Sequence, residues 1–136
     1  RRGMLVTHQI MGFTTLGLMV AQGFVGSSLY NGNYSKQDVH SALAVGINIG
    51  YFTTASLSLF APPKMLDERK GYSSIKLHKA LAIMHLSGMI ATDILAAQLD
   101  DDNHNSDQNN KYKRYHRAAA FTTFGAFAAS MIVIKF

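Results

Sequence analysis

Apolar positions along this chain run in long blocks, and charge is pushed to the gaps between them. From Gly3 to Ser35 there is no Lys, Arg, Asp or Glu, and the same holds from Val39 to Pro63 and from Ala118 to Ile134. Between Ala80 and Leu99 the only charge is Asp93. A helix that crosses a bilayer needs about 20 mostly apolar residues. Four such stretches are predicted, over residues 3–29, 39–60, 74–99 and 115–135. A water-soluble bundle would show a polar stripe on each helix. Here the would-be outer faces carry Leu, Ile, Val, Phe and Met. The connectors are short and polar: Asn31 to Asp38, Ala61 to Ser73, and Asp100 to Arg114. The Pro62-Pro63 pair stops the helix before it, and the acidic, Asn-rich third connector reads as a solvated loop. Short connectors make consecutive helices antiparallel neighbours. The expected architecture is all-α, a transmembrane up-down four-helix bundle forming a single membrane domain over residues 1–136.

Composition sharpens this picture. At 136 residues the chain has room for one domain. Hydrophobic residues make up 48% and charged residues 15%, against roughly 25% charged in an ordinary soluble domain. The mean hydropathy of +0.05 is modest, because the average hides the blocks. The net charge of +5 is a topology signal. The side holding the N-terminus would carry Arg1, Arg2, Lys64, Arg69, Lys70, Lys76, Lys79 and Lys135. The opposite side would carry Lys36, Lys111, Lys113, Arg114 and Arg117 against five aspartates. Both termini are therefore expected on the cytoplasmic or equivalent side. No basic stripe lies outside these flanks, so nucleic acid is not an expected partner. The first residue is Arg1 rather than Met, which leaves room for residues upstream.

An internal repeat centred on histidine carries the candidate chemistry. His8 is followed by Gly12, Phe13, Thr14, Thr15 and Gly17, and His116 by Ala120, Phe121, Thr122, Thr123 and Gly125 at the same distances. His40 and His78 both open His-x-Ala-Leu-Ala, with Gly50 and Gly88 ten residues on. Each histidine lies in the first turns of its helix and has a small residue four places later: Gly12, Ala44, Ala82 or Ala120. Positions i and i+4 share a helix face, so each small residue leaves room beside the imidazole for a flat macrocycle. In an up-down bundle His8 and His78 lie at one depth, and His40 and His116 at another. Two diagonal pairs result, one per leaflet. The glycines at nine and ten places fall about 15 Å deeper, at the expected level of the opposite pair.

Imidazole is a usual axial ligand of heme iron. There is no cysteine, which excludes covalent attachment through C-x-x-C-H and thiolate metal sites. Two non-covalent b-type hemes are the expected cofactors, with His8 and His78 on one iron and His40 and His116 on the other. Zinc fits less well, since each level offers two histidines and no thiolate. Chlorophyll is the stronger competitor, because one histidine can ligate magnesium. His85, seven residues after His78, is the alternative ligand; Thr15, Ile47 and Thr123 stand at its place in the other repeats. Asp93, the one acid inside a span, is a functional candidate against an interfacial acid reaching water. Tyr30, Tyr34, Tyr112 and Tyr115 read as headgroup anchors, and the methionines as packing. Gly17, Gly23 and Gly26 serve either close helix contact or space for a cofactor.

This arrangement of four helices, each with one histidine, resembles the cytochrome b561 family of diheme membrane proteins. The match runs from His8 to the last helix, and Val39-His40-Ser41 looks like that family's Leu-His-Ser motif on the second core helix. The resemblance implies pairing of the first with the third histidine and of the second with the fourth. It also implies transmembrane electron transfer. The common eukaryotic form has six helices and ascorbate-binding segments that have no counterpart here. The expectation is therefore an electron carrier that serves redox partner proteins or quinone, as a subunit of or partner to a larger membrane complex. The rival expectations are a self-contained transmembrane reductase oxidising quinol or ascorbate, and a pigment-binding or structural accessory subunit.

Overall fold

The computed structural model describes residues 2–62, 73–99, 102 and 106–134. Four α-helices occur among them and no strand: α1 (Arg2–Tyr30), α2 (Gln37–Leu59), α3 (Ser74–Ala97) and α4 (Asp107–Ile132). The chain forms two compact units, Arg1–Glu68 and Arg69–Phe136. In the first, α1 packs on α2; in the second, α3 packs on α4. The all-α class expected from the hydrophobic blocks is what the chain adopts. The flanking residues Arg1, Lys64, Arg69, Lys70 and Lys135, and Asp100 and Asp101 of the acidic run, lie outside the described residues.

Helix ends follow local chemistry. The turn between α1 and α2 needs a left-handed residue, and Gly32 supplies it at φ +100°. Around it the last carbonyls of α1 are taken up, Ser28 O by Asn33 N–H at 3.1 Å and Leu29 O by Gly32 N–H at 3.0 Å. A 3₁₀ turn, Tyr34–Lys36, leads into α2. Ser73 caps α3 by accepting from Lys76 N–H, and Ser106 caps α4 by accepting from Asn109 N–H. α2 stops at Leu59, just ahead of the proline pair.

The last helix departs from expectation. The stretch from Asp107 to Arg114, read as part of a loop, is helical. Gln108, Lys111, Lys113 and Arg114 are good helix formers, and Ser106 provides the start signal. Among the described residues α1, the segment Tyr34–Leu59, and α3 are long and apolar enough to cross a membrane; α4, whose first turns are polar, is not among them.

The distribution of polar groups is inverted relative to a soluble domain. Among the described residues the buried apolar side chains are Ile47, Tyr51, Met89, Ala126 and Phe127. The buried polar ones, Thr15, Thr54, His85, Asn109, Thr123 and Ser130, are at least as numerous. Meanwhile Phe24, Leu59, Phe60 and Ile132 are 75–80% exposed. Water would strongly disfavour that surface; hydrocarbon does not. Buried hydroxyls are satisfied within their own helices: Thr15 donates to Met11 O, Thr54 to Gly50 O, Thr123 to Ala119 O and Ser130 to Phe127 O, all at 2.7–2.8 Å. Such back-bonding is how a hydroxyl survives where there is no water. The chain has the surface of an integral membrane protein in contact with lipid.

Candidate functional site

Polar contacts join the two helices of each hairpin, and the repeated histidines take part in them. His8 donates its Nδ1–H to the Thr54 carbonyl at 2.8 Å. His78 donates to the Ser130 carbonyl at 2.7 Å, and His116 to the Thr92 carbonyl at 3.0 Å. A carbonyl oxygen can only accept, so Nδ1 must carry the proton in all three rings. The partner thereby fixes the tautomer and places the ring's lone pair on Nε2, the nitrogen that can bind a metal.

The acceptors obey a rule. Thr54 lies fourteen residues after His40, Ser130 fourteen after His116, and Thr92 fourteen after His78. His8, His78 and His116 thus each bind the residue at plus fourteen counted from the other histidine of their hairpin. The fourth position of the set is Gln22, fourteen after His8. Here the link is made differently, by Gln22 Nε2 donating to the His40 backbone carbonyl at 2.9 Å. Fourteen residues are nearly four helical turns, so all these positions share a face with their histidine, about 21 Å away along the axis. Both hairpins therefore pack in the same antiparallel register. Each carries a histidine at either end of a segment about 21 Å long.

The middle of that segment, at plus seven, is the tightest part of the fold. Thr15, Ile47, His85 and Thr123 stand there, and all four are buried. A Cβ on Gly50 would come within 2.6 Å of Thr15 Oγ1, and one on Gly88 would collide with Thr123 Oγ1 and Cβ. Gly50 and Gly88 thus let their hairpins close against threonine at mid-segment. The first pair has threonine on the leading helix and the second on the trailing one. That matches the sequence likeness of α1 with α4 and of α2 with α3.

His8, His40, His78 and His116 are half-buried. Of the small residues at plus four, Gly12 is buried and Ala44, Ala82 and Ala120 are half-buried. Gly26 faces the His40 ring: a Cβ there would lie 3.1 Å from Cε1 and 3.4 Å from Nδ1. Added Cβ atoms at Gly17 and Gly23 would meet nothing within 4 Å, so the close-contact role among these glycines falls to Gly26. His85 packs edge-on against Phe127, ring centroids 5.0 Å apart at 74°. Asp93 is half-buried, directly after the Thr92 acceptor. Tyr30, Tyr34 and Tyr115 are exposed and Tyr112 half-buried; Lys111 Nζ lies 5.9 Å over the Tyr115 ring.

Among the described residues, no three His, Cys, Asp or Glu side chains converge to cage a metal ion. The donor set does fit heme iron, which takes its equatorial ligands from the porphyrin and asks the protein only for axial ones. Imidazoles anchored through Nδ1–H to carbonyls are the usual form of such ligands. The acceptors Thr54, Thr92 and Ser130 escaped sequence reasoning because a backbone carbonyl has no sequence signature. The one available signal was a polar residue at plus fourteen from every repeated histidine. Comparison with protein families, curated proteins and solved structures finds no match to this chain.

Proposed function

We propose that this chain is a transmembrane electron-transfer cytochrome that holds two b-type hemes through His8, His78, His40 and His116, in the pairs expected from the sequence. One observation carries the reading: three of the four repeated imidazoles donate Nδ1–H to carbonyls at equivalent register positions, which makes Nε2 the nitrogen able to ligate. When bound, heme supplies a one-electron ferric/ferrous couple. The protein's part is to set where that couple sits and at what potential. The Thr54, Thr92 and Ser130 carbonyls orient the rings and would strengthen their electron donation to a bound iron, which favours the ferric state. The threonine–glycine contacts at mid-segment hold the two histidine levels of each hairpin about 21 Å apart along the helices. The apolar outer surface keeps water and ions from the path.

On this reading donor and acceptor, either redox proteins or a quinone, meet the chain at its two polar faces, and the N-terminus lies on the cytoplasmic side. The test is pyridine hemochrome analysis of the purified protein with oxidised and reduced visible spectra. Two hemes per chain with low-spin bis-imidazole bands are expected. Fewer than one heme per chain overturns the proposal.

A further inference from the structure

The first turns of α4 carry a charged stripe that the proposed function does not use. Lys111, Arg114 and Arg117 follow one another at intervals of three, and Phe121 comes four places later. Steps of three and four stay on one helix face. All four side chains are exposed. The buried residues of α4 include Asn109, Thr123, Phe127 and Ser130. They lie on the other side of the helix, where Thr123 closes on Gly88 and His116 reaches the Thr92 carbonyl of α3. The stripe thus lies on the side of α4 away from α3, and it passes from polar to apolar surroundings. Arg117 is the last charge before the charge-free run from Ala118, and its guanidinium carbon lies 5.7 Å over the Phe121 ring. Phe121 is 47% exposed, as a lipid-facing residue is. A guanidinium held over it sits at the edge of the hydrocarbon, with its apolar stem along the helix. Arg114 lies about 4.5 Å and Lys111 about 9 Å further out along the axis. The headgroup layer on each side of a bilayer is roughly 5–8 Å thick. The three cations therefore span that layer from the acyl boundary to water. Asp107, exposed and four residues before Lys111, offsets charge at the outer end of the stripe, which leaves Arg114 and Arg117 as its centre.

We propose that Lys111, Arg114 and Arg117 form a binding site for the phosphate of anionic lipid headgroups, such as that of phosphatidylglycerol. Depth decides between the anions that such a stripe could meet. A lipid phosphate lies at the level of Arg114 and Arg117. An acidic protein in water reaches Lys111 but is kept from Arg117 by the surrounding headgroups. Each guanidinium fork can take two phosphate oxygens, and Lys111 adds a point charge. Bound lipid then pins the start of α4 at the membrane surface. The site rests on the contact of this chain with lipid and not on heme, so the two proposals stand or fall separately.

The test uses the full chain reconstituted in phosphatidylcholine bilayers with a trace of spin-labelled lipid. Electron paramagnetic resonance reads the fraction of that lipid immobilised on the protein. Spin-labelled phosphatidylglycerol should be held about fivefold more tightly than spin-labelled phosphatidylcholine, and added salt should lower the ratio. R114Q/R117Q should bring the ratio close to one, while R114K/R117K, which keeps both charges, should retain most of the preference. K36Q removes one exposed charge, as R114Q does, but away from the stripe. It should leave the ratio in place where R114Q lowers it. No preference in the unsubstituted protein overturns the proposal. Equal losses in K36Q and R114Q also overturn it, since net charge alone would then explain the effect. A third result against it is polyglutamate binding from solution, lost in R114Q/R117Q, with no preference for phosphatidylglycerol; the stripe would then dock an acidic protein.

Discussion

At the scale of single residues, the unusual feature is how little side-chain chemistry the hairpins use. Histidine-to-carbonyl bonds and glycine–threonine contacts recur in both hairpins. His40 and Gly50 make this testable. Replacing His40 by Ala should remove one heme and spare the other, read as a halved pyridine hemochrome yield with one remaining midpoint potential; unchanged stoichiometry would defeat the proposed pairing. Replacing Gly50 by Ala pushes a methyl to 2.6 Å from Thr15 Oγ1. Overpacking of this kind costs about 1–3 kcal/mol. Denaturant titration in detergent should show that loss, and the T15A/G50A double variant should recover most of it. Additive losses in the double-mutant cycle would mean that the two residues do not share one contact.

At the scale of elements, α4 stands apart. Its first turns carry Asp107, Lys111, Lys113, Arg114 and Arg117, and its remainder from Ala118 is free of charge. The charge-free part is short for a span but within the range of about 17 to 25 residues. Its Phe121 is 47% exposed, as a lipid-facing residue would be. A membrane-impermeant maleimide applied to proteoliposomes opened to both faces should label K111C readily and F121C hardly at all. Equal labelling would place the whole of α4 in water. Much of this level was legible in the sequence, since blocks without charge and capping serines are local features. The start of α4 was not, because a polar run describes both a loop and a solvated helical turn. Only the cap and the continuous hydrogen bonding tell them apart.

At the scale of the whole molecule, two hairpins repeat one register with the roles of their helices exchanged, threonine on α1 and α4, glycine on α2 and α3. The proposed function adds a vectorial prediction. Vesicles holding the heme-loaded protein and internal ferricyanide should reduce it when an impermeant reductant is added outside. Vesicles with the H40A variant should lose most of that rate, because one of two successive carriers is gone. Equal rates with and without the protein would remove electron transfer across the membrane from its repertoire. The four histidines of this candidate site were legible as a repeat, and so were the small residues beside them. The carbonyl partners were not, because which carbonyl meets which ring depends on how α1 slides along α2 and α3 along α4.

What the sequence alone determined is everything that depends on composition over a turn or a block. This covers the all-α class, the lipid-compatible surface, the helix count and the recurrence of histidine with a small neighbour. These are local because a helix closes its own hydrogen bonds and an apolar run needs no partner to be apolar. Tertiary structure decided the rest: the plus-fourteen acceptors, the threonine–glycine closures and the different treatment of His40 by Gln22 and Gly26. Each is a contact between residues 14 to 52 positions apart, set by the antiparallel register of two uniformly apolar helices. Their apolar faces favour many registers about equally, so the hydrogen-bonding and small residues select one.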